Sequence, residues 1–200
     1  MTKGTKEIYK VITTYLIKVI IAGFAIGLLY KKQELVAIIL GLRIIYRLYK
    51  YKVDKISLTV PIIGMLVTGT IGTIIEYYGT KYNHWEYHNI STQLPKYLFF
   101  VWMLAFTFMY NIERKVYVNL KNPTKLNKLL IVAGVVILFP TVGEIICINL
   151  GVWTYYAPYM FLGVSPYSIG AIAFVHLAIN YVLSIFLKKT NIKDVILNPS

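Results

Sequence analysis

The sequence is short of acidic residues and has almost no cysteine. Eight aspartate and glutamate residues stand against 21 lysine and arginine residues, and charged residues make up only 14% of the chain. A soluble domain carries about 25% charged residues, so this shortage argues against a soluble protein. The single cysteine, Cys147, excludes an intramolecular disulfide, and its place in an apolar run predicts a small, inert hydrophobic side chain.

Common catalytic signatures are also missing. The chain has no Walker loop, no GxSxG or HExxH motif and no paired CxxC motif. His84 and His88 flank Trp85, but two histidines supply too few ligands for a zinc site. We therefore predict no metal site and no cofactor. A net charge of +13 would suit a nucleic-acid-binding protein, yet the basic residues form short clusters between apolar runs, which is typical of cytoplasmic loops, so we expect no nucleic-acid partner.

Long apolar runs dominate what the chain does contain. Hydrophobic residues make up 58% of it and the mean hydropathy is +0.63. Crossing a hydrocarbon core takes ~20 residues of helix, and several runs of that order continue to the C-terminal part, so a removed signal peptide does not explain them. We predict an all-α, polytopic membrane helical bundle of about six transmembrane helices, in a single membrane domain over 1–200. The predicted spans are 11–30, 34–50, 57–79, 95–113, 127–149 and 166–187.

The second predicted span is the weakest, because Arg43 and Arg47 lie on one of its faces. It is a short span, a half-span or an interfacial helix, since charges deep in a bilayer are costly. The two arginines have two interpretations. They are snorkelling residues near the cytoplasmic surface, or they bind an anionic lipid or diphosphate head group at a site separate from any other.

Basic clusters predict the orientation. With six spans, clusters before the first span and after the second, fourth and sixth all fall on one side, the cytoplasm. We therefore expect a multi-pass protein of the cell membrane with both termini cytoplasmic and membrane lipids as partners; the sequence leaves a homo-oligomer open. The tail over 190–200 is expected to be a short disordered end.

A repeated pattern places two glutamates in equivalent positions. Thr, Glu, Trp and Tyr recur at the same offsets in two segments, and a proline opens the following span in each. The matched residues are Thr73, Glu76, Trp85, Tyr87 and Pro95 in the first segment, and Thr141, Glu144, Trp153, Tyr155 and Pro166 in the second. The pattern predicts a parallel internal repeat with units 57–113 and 127–187, preceded by N-terminal helices over 11–56.

The repeat puts Glu76 and Glu144 at one depth, near the outer ends of their helices. A carboxyl group there is costly in lipid and is expected to face the bundle interior, where two neighbouring carboxyls suit acid/base chemistry. The alternative is that each glutamate only caps a polar contact between helices. His176 and Asn180 share a face of the last helix and are expected to form the floor of such a site, or else to be ordinary buried polar residues.

The pattern resembles the membrane-embedded lycopene cyclase domain of carotenoid synthesis, which has tandem three-helix units with an acidic residue, a glycine and an aromatic step. The matching residues are Glu76, Gly79 and Trp85, then Glu144, Gly151 and Trp153. The family's glutamates after the next proline are absent here. The resemblance covers roughly 57–187 and implies a helical membrane architecture with an isoprenoid or lipid ligand.

Two functions follow as hypotheses. In the first, the protein is a lycopene-cyclase-like enzyme acting on an isoprenoid or lipid substrate; Glu76 and Glu144 are the acid and its base or counter-ion. The predicted substrate-binding residues are Trp85, Tyr87, Trp153, Tyr155, His176 and Asn180. In the second, it is a non-enzymatic small transporter or lipid-binding membrane protein. A transporter is expected to have broken helices, for which the glycines of the third span and Gly134, Pro140 and Gly143 of the fifth are suggestive.

Overall fold

The computed structural model describes residues 2–121 and 124–198. These residues form six α-helices and two short β-strands. The elements are α1 (Lys3–Leu29), α2 (Gln33–Val53), α3 (Thr59–Lys81), β1 (Trp85–Tyr87), α4 (Leu98–Tyr117), α5 (Lys125–Asn149), β2 (Trp153–Tyr155) and α6 (Pro166–Lys189). The prediction of an all-helical bundle is confirmed, and each predicted span corresponds to one helix. The ends differ by at most four residues, except that α1 begins eight residues before the first predicted span.

Four of the helices, α1, α3, α5 and α6, are long and apolar enough to cross a membrane. Their outward faces carry large hydrophobic side chains that no other part of the described chain covers. On α1 this stripe is formed by Ile17, Ile21, Phe24 and Leu28, which are all exposed. An apolar stripe at helical spacing on the outside of a bundle is what contact with lipid requires, whereas a water-soluble protein would turn it inward.

The centre of the bundle is α4, which packs against α1, α2, α3 and α5. It is not among the four most apolar helices, because Glu113, Arg114 and Lys115 lie near its end. Central packing compensates for this polarity: Phe106 and Ile112 are fully buried, and Glu113 is 1% exposed. A helix surrounded by protein does not have to be as apolar as one that faces lipid.

Glycines on one face of α3 allow α4 to approach closely. A Cβ at Gly64 would overlap the ring of Phe106, and one at Gly72 would overlap the indole of Trp102. The helix itself is continuous over Thr59–Lys81, and α5 is continuous through Pro140. The glycines of α3 therefore leave room for aromatic rings of α4 to pack against the helix backbone. Neither α3 nor α5 has the helix interruption expected of a transporter.

The two strands close one end of the bundle, which we call the strand end. They pair in antiparallel fashion, Trp85 opposite Tyr155 and Tyr87 opposite Trp153. The turn between α1 and α2 lies at the same end, since Asn89 donates a hydrogen bond to the hydroxyl of Tyr30 at 2.9 Å. The aromatic residues of the two repeated segments therefore lie in one paired ribbon.

The C-terminal segment is folded back against the opposite end of the bundle. Ile196 and Leu197 are each 1% exposed, and the carboxylate of Asp194 accepts a hydrogen bond from the Tyr110 hydroxyl at 2.5 Å. The expectation of a disordered end is therefore wrong for 190–198, while 199–200 lie outside the described residues. Hydrophobic residues in this segment fill a gap beside α4 and α6 that local sequence does not reveal.

Candidate functional site

The ends of α3 and α5 bring the two glutamates to the strand end. Each helix ends a few residues after its glutamate and is followed by a residue with positive φ, Asn83 at 56° and Gly151 at 75°. These residues turn the chain back so that the next strand crosses above its own helix. Each strand therefore lies within hydrogen-bonding reach of the glutamate that precedes it.

Glu76 accepts three hydrogen bonds. The indole Nε1 of Trp85 donates to its Oε2 at 2.8 Å, the hydroxyl of Tyr87 donates to the same oxygen at 2.9 Å, and the indole Nε1 of Trp102 lies 3.3 Å from Oε1. Both carboxylate oxygens therefore have donors. The indole of Trp85 reaches this position because Gly79 leaves room for its ring.

Glu144 has fewer partners. The hydroxyl of Tyr155 donates to its Oε2 at 2.9 Å, and the hydroxyl oxygen of Ser168 lies 3.4 Å from the same atom. The Ser168 hydroxyl is also 2.7 Å from the carbonyl oxygen of Ser165, which is the better acceptor of its single proton. The second oxygen of Glu144 has no hydrogen bond within the described part of the chain.

The phenols of Tyr87 and Tyr155 are permanent donors at this site. Burial raises the pKa of each hydroxyl well above its usual value, and the charges of the nearby glutamates raise it further. Neither phenol therefore loses its proton in the physiological range, and each supplies a fixed O–H to its glutamate.

The glutamates lie on the wall between two cavities. The first, about 340 Å³, runs between α1, α2, α4 and α5, and the second, about 440 Å³, lies beside α3 and α6 under the strands. Five residues line both: Glu76, Trp102, Glu144, Tyr155 and Ile172. The first cavity has an almost entirely apolar middle, formed by residues such as Ile26, Val101 and Phe108. A hydrocarbon chain fits such a lining, with the carboxyl groups at one end.

Aromatic rings surround this junction. Trp85 and Tyr155 pack edge to face with ring centroids 5.7 Å apart, and Tyr87 and Trp153 pack in the same way at 5.7 Å. Trp85 and Tyr155 line the second cavity, while Tyr87, Trp153 and Tyr155 line the first. The structure thus brings together all four aromatic residues that the sequence singled out and both glutamates.

His176 and Asn180 do not reach these cavities. His176 Nε2 lies 2.7 Å from Glu113 Oε1, and the Asn180 amide lies 3.4 Å from Glu113 Oε2. All three residues are buried between α4 and α6. Their placement as the floor of the site was wrong because Glu113, an acidic residue inside the fourth predicted span, binds both of them. They form a separate polar cluster that joins two helices and are not part of the candidate site.

Three residues that line the cavities were not among the predicted site residues. Trp102 lines both cavities, Ser168 lines the second, and Lys18 of α1 lines the first together with Arg43 and Arg47. The signal for Trp102 was present in the sequence, since a tryptophan in a span needs an acceptor for its indole N–H. Nothing local marks Ser168 or Lys18, which reach the site only through helix packing.

The groups that could hold a metal are too few: the described residues contain no cluster of three or more histidine, cysteine or carboxylate side chains. No family model, no curated protein and no solved structure matches this chain. What the site does therefore has to be inferred from its geometry, which is a pair of unequal carboxyl groups set among aromatic rings at the end of an apolar cavity.

Proposed function

We propose that this protein is a membrane enzyme, similar in chemistry to lycopene cyclases, that rearranges an isoprenoid chain by acid/base catalysis at Glu144 and Glu76. The observation that carries the proposal is the unequal hydrogen bonding of two carboxyl groups on one cavity wall. Two of the three donors to Glu76 are indole N–H groups, which can only donate, so Glu76 is held as a carboxylate.

Glu144 is the acid. Its second oxygen, Oε1, is free to carry a proton. The Ser168 hydroxyl lies 3.4 Å from Oε2, but its own proton goes to the carbonyl oxygen of Ser165, so it does little to stabilise an ionised Glu144. Two carboxyl groups that share a site do not both ionise readily. The one that accepts more hydrogen bonds, Glu76, keeps the negative charge.

The reaction is a net isomerisation. The proton of Glu144 forms a C–H bond at one carbon of a substrate double bond and leaves a carbocation on the other carbon. The electron pair of a second double bond attacks that cation and closes a ring, and a neighbouring C–H bond then loses its proton to Glu76. One proton enters and one leaves, so no oxidant or reductant is consumed. The faces of the surrounding aromatic rings stabilise the cation.

The pairing of the two strands supports a relation between the two halves of the site. Trp85 opposite Tyr155 and Tyr87 opposite Trp153 is the pairing expected if β1 and β2 are equivalent strands related by a two-fold axis along the bundle. Corresponding backbone bonds also match, His88 N–H to the carbonyl of Val152 at 2.9 Å and Tyr156 N–H to that of His84 at 2.8 Å. We propose on this basis a parallel repeat. Gly79 and Gly151 are not equivalent positions of this repeat. Gly79 leaves room for the indole ring of Trp85, whereas Gly151 adopts a positive φ.

The test is a comparison of lipids by mass spectrometry. Membranes with and without the protein are incubated with linear isoprenoids, including lycopene, in D2O. An isomer of unchanged composition carrying one deuterium per ring is expected, since the acid proton exchanges with solvent. Glu144→Gln and Glu76→Gln should each abolish it, because glutamine keeps the size and loses the proton chemistry.

The control is Glu86→Gln, which alters an exposed carboxylate on β1 that lines neither cavity. It should leave the product unchanged. An unchanged lipid profile with the wild-type protein would instead support the rival function of a lipid-binding protein without catalysis. Full activity in Glu144→Gln would show that Glu144 is not the acid.

A further inference from the structure

The first cavity has a basic end as well as an acidic one. Lys18, Arg43 and Arg47 line it together with Glu76 and Glu144. The sequence had suggested that the arginines, if they bind a ligand, do so at a site of their own. The structure places them on the same cavity as the glutamates, with the apolar lining between.

The distance between the two ends suits an amphipathic molecule. The start of α2 lies at the strand end, where the side chain of Gln33 accepts a hydrogen bond from the backbone N–H of Lys96 at 2.9 Å. With a helix rise of about 1.5 Å per residue, Arg43 and Arg47 lie roughly 15 and 20 Å from that end, whereas Glu144 lies roughly 8 Å from it. An apolar stretch of the order of 10 Å therefore separates the cations from the acid.

The three cations have no acidic partner. None of them forms a salt bridge with any described residue. The Nε of Arg47 is buried and has no hydrogen-bond partner in the described chain. Lys18 and Lys115 share the ring of Tyr15, with their Nζ atoms 4.6 and 5.4 Å from its centroid, which adds a further positive charge beside the cavity.

The side chains of Lys18 and Arg43 are exposed and that of Arg47 is half-buried, but snorkelling to the membrane surface does not explain their positions. Lys18 and Arg43 lie near the middle of their helices, and the buried Nε of Arg47 gains nothing from water. A cluster of unpaired cations inside a span is costly and implies an anion that neutralises it. Arginine binds phosphate oxygens in a fork geometry, and lysine adds a point charge.

We propose that Lys18, Arg43 and Arg47 bind the phosphate or diphosphate group of a phosphorylated isoprenoid whose hydrocarbon chain fills the first cavity and reaches Glu144. This proposal rests on the proposed function and specifies its substrate class. The phosphate ester is not broken in the reaction. It holds the chain in one orientation, so that a double bond distant from the head group lies at the acid.

The test measures binding and does not depend on turnover. Glu144→Gln protein in lipid nanodiscs is titrated with geranylgeranyl diphosphate and with geranylgeraniol, which has the same chain and no phosphate. The diphosphate should bind at least about tenfold more tightly, the equivalent of one charge-assisted hydrogen bond. Arg43→Gln and Arg47→Gln should each remove about tenfold of that preference, while Arg114→Gln, the chain's remaining arginine, which lines neither cavity, should leave it intact.

Two competitors identify the source of the phosphate. Inorganic pyrophosphate should compete weakly because it lacks the chain, and phosphatidylglycerol should compete weakly because its two acyl chains do not fit a single apolar channel. Equal binding of the alcohol and the diphosphate would overturn the head-group site. Strong competition by pyrophosphate or by phosphatidylglycerol would overturn the isoprenoid as its occupant. A diphosphate preference without any turnover by the wild-type protein would leave the head-group site standing and would reject the catalytic function alone.

Discussion

At the scale of single residues, the molecule is defined by how few acidic groups it has and where each one lies. Glu76 is enclosed by indole and phenol donors, Glu144 has one strong donor, and Glu113 lies between His176 and Asn180. Three carboxyl groups in one helical bundle thus have three environments. In the proposed function the donors around each carboxyl group, and not the residue type, decide whether it holds a charge, transfers a proton or joins two helices.

Two tryptophans in corresponding positions provide a direct test of these environments. The indole of Trp85 donates to Glu76, whereas the buried Nε1 of Trp153 has no partner among the described residues. Trp85→Phe should therefore lower the free energy of unfolding by about 2 kcal/mol, because it removes a hydrogen bond to a charged group. Trp153→Phe should be neutral or slightly stabilising. The measurement is thermal unfolding in detergent, and equal losses in the two variants would contradict the assigned hydrogen bond.

At the scale of helices and strands, glycines of α3 allow aromatic side chains to pack directly against the helix backbone. The α3 face carrying Gly64, Gly72 and Gly79 receives the rings of Phe106, Trp102 and Trp85. Two of these rings then donate to Glu76. The α3–α4 contact therefore positions one of the indole donors to Glu76, and we expect a change in that contact to affect the proposed chemistry.

Gly72→Ala tests this link between packing and chemistry. The added Cβ would overlap the Trp102 indole, so the ring has to shift and its hydrogen bond to Glu76 is lost. We expect a loss of about 1 to 3 kcal/mol in stability, as for other overpacked cores, together with reduced turnover. Gly134→Ala is the matched control, since nothing lies within 4 Å of a Cβ there. It should be neutral or stabilising by up to about 1 kcal/mol through helix propensity. A Gly72→Ala protein as stable and as active as the Gly134→Ala protein would refute the link.

At the scale of the whole molecule, the bundle has two distinct ends, which define its orientation in the membrane. Four helices are suited to crossing a membrane, and α2 and α4 run beside them with arginines or a buried glutamate. The strand end and the end with the C-terminal segment are opposite faces of the bundle. The basic clusters favour the cytoplasm for the latter.

Cysteine labelling of intact cells tests that orientation. Single cysteines replacing Leu120 and Val195 should be protected from a membrane-impermeant reagent, and those replacing Ile90 and Pro158 should react. The native Cys147 is buried and gives a low background. Reaction at position 195 from outside, without lysis, would reverse or abolish the proposed topology of six spans with both termini in the cytoplasm.

Much of this protein was determined by its sequence alone. Composition and the spacing of apolar runs predict a helical bundle, because a chain this poor in charge has to satisfy its backbone within helices wherever it meets lipid. The recurrence of Glu, Trp and Tyr pointed to Glu76 and Glu144, and their four aromatic neighbours were identified from the same pattern. These features depend on the spacing of residues that lie close together in the sequence, and sequence patterns report such spacing directly.

Only the tertiary structure decided the rest. His176 and Asn180 bind Glu113 and not the paired glutamates, and Lys18 joins the arginines on the cavity that ends at those glutamates. Such partnerships depend on how each helix is rotated about its axis and which neighbour it meets. Rotation is set by the packing of side chains distant in the sequence, such as Trp102 against Gly72, and periodicity along one helix carries no information about it.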